Sequence, residues 1–212
     1  MTATITVAAF DVDGTITRTD CVRPFLELVA GRAGLARVVL GHPIEVAVGA
    51  VRRDRDRLKE TIVGGAYEGR FVDDVDALGR SFAQHVASSM LRDDVVARLR
   101  WHQASGHRTV LVSASLRSYL APLASILGLD AVVCTDVAAV DGRYVARLDG
   151  GNCRAEQKRV RLRRWLASEG IADATLWAYG DSRGDREMLD DAHHPVWVQG
   201  TTVQAVPPET SS

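Results

Sequence analysis

Asp11 and Asp13 stand two residues apart in the stretch Phe10-Asp11-Val12-Asp13-Gly14-Thr15-Ile16-Thr17, directly after the apolar run Ile5, Val7, Ala8, Ala9. Two carboxylates held about 4 Å apart at an effective dielectric near 20 repel by about 4 kcal/mol. A buried pair therefore calls for a cation, although an acidic pair before a glycine also reads as a turn or a calcium loop. Gly14 lets the chain turn sharply and Thr15 can tie the turn with its hydroxyl. A second acidic pair, Asp181 and Asp185, straddles the loop Gly180-Asp181-Ser182-Arg183-Gly184-Asp185 after the apolar run Leu176-Trp177-Ala178-Tyr179. An oxygen-only ligand set of this kind suits Mg²⁺ rather than zinc. Ser113, in Ser113-Ala114-Ser115, follows a third apolar run, Thr109–Val112. A serine with free amides at a following helix start suits a phosphate group. It is equally an ordinary helix N-cap, so both readings stand.

The elements that must position these residues are short apolar strands, because ligands in open α/β sheets gather at the carboxyl ends of buried parallel strands. Strands are expected at the runs ending in Phe10, Val112, Val133, Tyr179 and Val198. A hairpin is expected over Val137–Val140 and Tyr144–Leu148 on the Asp141-Gly142 turn. Helices are expected over 93–105, closed by Gly106, over 117–127, closed by Gly128, and over 154–169. A new helix is expected to begin at Ser113-Ala114-Ser115. Between Arg18 and Leu91 nothing alternates with period two. Pro24 suits a helix start, Gly41-His42-Pro43 a break, and Gly64-Gly65 a helix end. Val75, Leu78, Phe82, Val86 and Met90 recur at three- and four-residue steps, the mark of an amphipathic helix. The alternation implies an α/β fold, a doubly wound parallel sheet, with a small inserted helical cap. Residues 1–17 and 92–212 would form the core and 18–91 the cap.

The chain has 212 residues, with 26 basic against 27 acidic side chains and a net charge of -1. That balance gives no general field for nucleic acid. The mixed run Arg52–Arg57 cancels its own charge and reads as a solvated helix face. The basic helix with Arg154, Lys158, Arg159, Arg161, Arg163 and Arg164 lacks interleaved aromatics and reads mostly as solvated. Cys21, Cys134 and Cys153 have no metal-ligand spacing and are expected to be free thiols of a cytoplasmic protein. The apolar start ends at Asp11, and the run Leu35–Val51 is broken by Arg37, His42, Pro43 and Glu45, so no membrane span is expected. The tail from Gln199 is polar and is expected to fray. Nothing indicates an oligomeric state.

Asp11-Val12-Asp13-Gly14-Thr15, Ser113, Lys158 and the Asp181/Asp185 pair, in that order, resemble the four motifs of the haloacid dehalogenase (HAD) superfamily of phosphoryl-transfer enzymes. The helical insertion after the first motif resembles the cap of the phosphoserine-phosphatase-like branch. The resemblance implies that Asp11 is the nucleophile and Asp13 the general acid and base, with Lys158 balancing charge. It places Ser113, the Ala114 amide and Gly14 against the phosphoryl group, and a Mg²⁺ on Asp11, Asp181, Asp185 and the backbone carbonyl of Asp13. The activity it implies is a Mg²⁺-dependent phosphomonoesterase for a small phosphorylated metabolite, working through aspartyl-phosphate.

The motifs depart from those of phosphoserine phosphatases. This chain has Asp-Gly-Thr for Asp-Ser-Thr, Ser-Ala-Ser for Ser-Gly-Gly, and Gly-Asp-Ser-Arg-Gly-Asp for Gly-Asp-Gly-x-Asn-Asp. Asp20 stands where that family often has a glutamate that reads the amino group, so phosphoserine stays among the substrates to test. The apolar cap segment from Leu35 would also suit a more lipophilic ester. A mutase passing the phosphoryl group to a second hydroxyl is an alternative within the superfamily. A non-enzymatic phospho-receiver module fits poorly, since receivers lack both the insertion and an Asp-x₃-Asp after the lysine. Asp13 argues against a dehalogenase, which does not need a second aspartate.

Overall fold

Strand β1 (Thr6–Phe10) carries small and apolar side chains on both faces, and Val7, Ala8, Ala9 and Phe10 are wholly buried. Such a strand can only sit at the centre of a covered sheet. It runs parallel to β2 (Arg108–Leu116) on one side and β5 (Thr175–Gly180) on the other. Beyond β2 lies β3 (Ala131–Val140), parallel, and beyond β5 lies β6 (His194–Trp197), also parallel. β4 (Arg143–Asp149) closes the other edge antiparallel to β3, giving the order β4-β3-β2-β1-β5-β6. The computed structural model describes residues 5–43 and 54–198. The apolar run beyond Pro43, Arg52-Arg53 and the polar tail lie outside the described residues.

Helices cover both faces of the sheet, as the doubly wound reading requires. On one face Leu162 and Leu166 of α6 (Glu156–Ser168) and Met188 and Leu189 of α7 (Arg186–Asp190) pack with Val7, Ala9 and Val112. On the other, Val95 and Leu99 of α4 (Asp93–Ala104) and Leu120 and Leu123 of α5 (Arg117–Leu127) pack with Ala8, Phe10 and Leu111. No helix among the described residues is long and apolar enough to cross a membrane. The three cysteines are buried free thiols, and burial pushes Cys21 and Cys134 up to about 12.

The insertion folds as α1 (Val22–Gly41), α2 (Arg55–Tyr67) and α3 (Val72–Ser89). Asp20 starts α1 by accepting from the Val22 and Arg23 amides at 3.4 and 3.2 Å. The helix bends at Gly31, whose φ of +71° breaks the helical path. The stripe of α3 is buried through Val75, Phe82 and Val86 against α5, where a Cβ on Gly79 would stand 1.9 Å from the Ser118 carbonyl oxygen. Phe25, Phe82 and Tyr119 form a three-ring cluster with centroids 4.8 to 5.3 Å apart, joining α1 and α3 to α5.

Three local expectations are corrected. Gly64-Gly65 does not end a helix, because α2 continues to Tyr67. The glycines serve close packing instead. A Cβ on Gly64 would come 2.9 Å from the Ala146 backbone, and one on Gly65 would come 2.7 Å from the Val38 side chain. The runs Ala131–Val133 and Val137–Val140 form one continuous strand, with its parallel partner β2 at one end and the β4 hairpin at the other. The helix expected at Ser113-Ala114-Ser115 starts at Arg117. The strand carries on through a register shift between Ser113 and Leu116, which keeps that loop at the sheet's edge.

Candidate active site

The carboxyl ends of β1, β2 and β5 meet at one place, and the site is assembled there. Asp11 leaves β1 with its amide donating to Tyr179 O of β5 at 2.9 Å, which locks the two strand tips together. Gly14 takes φ +81°, and Thr15 and Thr17 donate their amides to Val12 O at 3.1 and 2.9 Å. A Cβ on Gly14 would fall 2.3 Å from Asp181 Oδ2, so only glycine lets the first loop approach the second. The Thr15 hydroxyl lies between Asp11 Oδ2 (3.4 Å) and Asp181 Oδ1 (3.3 Å).

Lys158 enters from the first turns of α6, 2 % exposed, and donates to Asp11 Oδ1 at 2.5 Å and to Asp185 Oδ1. Asp185 is fixed on its other oxygen by the Ser182 amide and hydroxyl at 2.9 and 2.8 Å. Asp11, Asp181 and Asp185 each bring a carboxylate oxygen within 4.8 Å of the others. Three carboxylates face one ammonium, and the electrostatics record the imbalance. Burial pushes the Asp11 carboxyl up to about 7 against the pull of Lys158, and Asp185 and Asp13 add to the rise. Burial also raises Asp181, with Asp185 reinforcing it. Lys158 pays a desolvation penalty, outweighed by Asp11 and Asp185, which hold its ammonium above the ordinary range. An oxygen-only cluster short of positive charge fits a divalent cation such as Mg²⁺.

Asp13 turns away from that cluster. Its Oδ1 accepts from the Cys21 amide at 2.8 Å and its Oδ2 from the Ser115 hydroxyl. Burial raises its pKa, and the Ser115 bond opposes the rise. Ser113 is buried beside this loop and its Oγ accepts from the Ser115 amide at 3.1 Å. The residues singled out from the sequence therefore converge at one sheet edge, with Lys158 bonded to Asp11 and Asp185, Asp181 within 4.8 Å of both carboxylates, Asp13 and Gly14 in the loop after β1, and Ser113 and Ala114 at the end of β2.

Three residues, Ser115, Lys59 and Asn152, escape a reading of the sequence. Ser115 is visible only as part of a serine pair. Lys59 lies inside a stretch read as helical packing. Lys59 reaches from helix α2 of the insertion to the Ala114 carbonyl and to Asn152 Oδ1 at 3.0 Å. Asn152 also donates to Asp56 Oδ1 at 2.6 Å and accepts from the Thr135 hydroxyl at 3.0 Å. Asp54, Asp56 and Arg57 are exposed, as the solvated reading of their run expects, and Asp56 in addition meets Asn152 across the face between the inserted helices and the sheet. The arginines of α6 are not all solvated: Arg161 donates to Cys134 O and to the Gly150 and Gly151 carbonyls, and Arg163 pairs with Asp191 at 2.6 Å. No local periodicity marks any of these long-range partners.

The fold and the carboxylate-lysine cluster define an α/β protein with its candidate site at the carboxyl edge of a mostly parallel sheet. The chain belongs to the haloacid dehalogenase-like hydrolase family, whose sequence profile matches residues 8–190. It is 38% identical over 184 residues to Protein CicA of Caulobacter vibrioides, an alignment covering 86% of this chain and 81% of that protein. It is 26% identical over 194 residues to a probable phosphatase of Mycobacterium tuberculosis, covering 89% of this chain and 67% of the other. A phosphoserine phosphatase solved in its apo form shares the fold at a TM-score of 0.57 and 16% identity, with 89% and 83% of the two chains covered.

Proposed function

We propose that this chain is a cytoplasmic Mg²⁺-dependent phosphomonoesterase acting on a small phosphorylated metabolite through an aspartyl-phosphate on Asp11. The observation that carries the reading is Lys158 buried between Asp11 and Asp185, with Asp181 completing a cluster that needs a cation. The likeness to a protein called a probable phosphatase supports phosphoryl chemistry over dehalogenation. Residues 1–17 and 92–212 act as the catalytic core and 18–91 as the cap.

An Asp11 carboxylate oxygen attacks phosphorus, and the bond from phosphorus to the ester oxygen breaks. Asp13 gives its proton to that departing oxygen, and its raised pKa favours the protonated form it needs. The ionised Asp13 then takes a proton from water, whose oxygen attacks phosphorus and releases inorganic phosphate and free Asp11. Lys158 holds Asp11 in place and offsets charge on the transferring group. Ser113 and the Ala114 and Gly14 amides receive phosphoryl oxygens. Asp11, Asp181, Asp185 and the Asp13 carbonyl would hold a Mg²⁺, which would supply the remaining positive charge.

The test is phosphate release from a panel of monoesters, with Mg²⁺ or with chelator, for the native chain and Asp11→Asn. Mg²⁺-dependent release lost in the variant is the expected result, and release that survives Asp11→Asn would rule out the covalent mechanism. Product analysis separates release to water from transfer to a second hydroxyl.

A further inference from the structure

Next to Asp13 a cleft of about 550 Å³ opens between the cap and the core. Its floor is the edge of the catalytic site: Asp13, Ala114, Lys59 and Asn152. Its walls come from the cap and are apolar, with Val22, Leu26, Leu35 and Val39 from α1 and Leu58 and Ile62 from α2. Val39 is exposed, and Val22, Leu35 and Ile62 are only partly buried, so the wall presents hydrocarbon to whatever enters. An apolar concavity continuous with a polar reacting centre is how a site receives a ligand with one polar end.

Asp20, Arg23, Lys59 and Arg154 also line the cleft, at its rim and floor rather than along the apolar wall. Asp20 already accepts two helix-start amides, and Arg23 pairs with Glu27 at 3.1 Å. Lys59 donates to Ala114 O and Asn152 at the floor, beside Asp13 rather than along the wall. Arg154 lines the cleft at the end where its side chain lies against Gly184, beside the Asp181–Asp185 loop. A charged amine or carboxylate lodged against Leu35, Val39 and Leu58 would lose its hydration without a partner there.

We infer that the substrate is an aliphatic phosphate monoester whose alkyl chain lies along the α1–α2 wall while its phosphate meets Asp11 and its ester oxygen meets Asp13. The inference rests on the phosphomonoesterase reading above and narrows it. The shared chemistry is a phosphate on a hydrocarbon chain, whether the ester is dissolved or held in a lipid surface.

The experiment is a series of n-alkyl phosphates, from methyl to octyl, assayed with Mg²⁺ at concentrations below micelle formation. We expect kcat/KM to rise about threefold with each added methylene until the cleft is filled, at least about a hundredfold from methyl to hexyl. 6-Aminohexyl phosphate and phosphoserine should fall well below hexyl phosphate. Val39→Asp and Leu58→Asp, each in the cap wall, should flatten the slope, read as the ratio of octyl to methyl rates so that any loss of folded protein cancels. A long-chain monoalkyl phosphate in phosphatidylcholine vesicles, set against dissolved octyl phosphate, tells whether the chain is drawn from a lipid surface, and hydrolysis in either arm supports the inference. A flat series with Mg²⁺-dependent release from every ester would overturn the aliphatic assignment and leave the phosphatase reading intact, as would phosphoserine outpacing hexyl phosphate. No release from any member, methyl phosphate included, would remove both.

Discussion

The Lys59 ammonium, carried by inserted helix α2, donates to Asn152 Oδ1 in the loop after β4 at 3.0 Å, and this one amide oxygen also accepts from Thr135. Asn152 therefore ties the inserted helices to the sheet edge that carries the candidate site. Asn152→Ala leaves Lys59, Asp56 and Thr135 without their shared partner. It should cost about 2 kcal/mol of stability, seen as a lower urea midpoint. Lys59→Met removes a charge at the floor of the cleft and should lower kcat/KM by about ten- to a hundredfold with the fold intact by circular dichroism.

Lys158 is the counter-charge for Asp11 and Asp185 when no cation is present. Replacing it by methionine leaves buried carboxylates uncompensated and should destabilise the metal-free protein by about 3–5 kcal/mol. Mg²⁺ should restore more of the melting temperature in Lys158→Met than it adds to the native chain. Equal gains in both proteins would place the cation elsewhere.

Asp13 should be tunable through Ser115. The Ser115 hydroxyl stabilises the ionised carboxylate and opposes the upward push of burial. Ser115→Ala therefore raises the Asp13 pKa further. Because the first step needs Asp13 protonated, the alkaline limb of kcat/KM should move to higher pH in the variant. A limb that stays in place would assign it to another group.

His102 predicts the acid sensitivity of the fold. Its ring nitrogens bond to Tyr179 Oη at 2.9 Å and to His107 Nδ1 at 2.8 Å, with no exposure to solvent. Burial, reinforced by His107 and Arg98, depresses its pKa to about 3. The unfolded chain then binds a proton that the folded chain refuses as pH falls below about 6.5. Stability due to this group is thus full above about 6.5 and is lost progressively toward pH 3. Chemical denaturation across that range should show the decline, and His102→Gln should make it shallower.

The seam between α3 and α5 leaves no room for a side chain at Gly79. Gly79→Ala improves helix propensity by about 1 kcal/mol, yet a methyl 1.9 Å from Ser118 O must push the helices apart. The net effect should be a loss of about 1–3 kcal/mol, measured as a lower denaturation midpoint.

Much of the site was legible because its residues sit at strand tips, where an apolar run and the polar residues that end it are adjacent in sequence. Asp11, Asp13, Asp181 and Asp185 announce themselves in that way, and Lys158 follows from motif order. The alternation of strands with helices and the helical insertion follow from periodicity, while the order β4-β3-β2-β1-β5-β6 emerges only in the folded sheet. What the chain's linear order could not reveal is where separate elements touch. Gly64-Gly65 looks like a helix end until Ala146 and Val38 are found against it. Lys59, Ser115 and Asn152 become site residues only when cap helix, second strand and the loop after β4 are brought together. Local periodicity is dictated by which face of an element is buried, and it is written into every few residues. Contacts between elements depend on how whole faces dock, a property of the packed chain that no short stretch encodes.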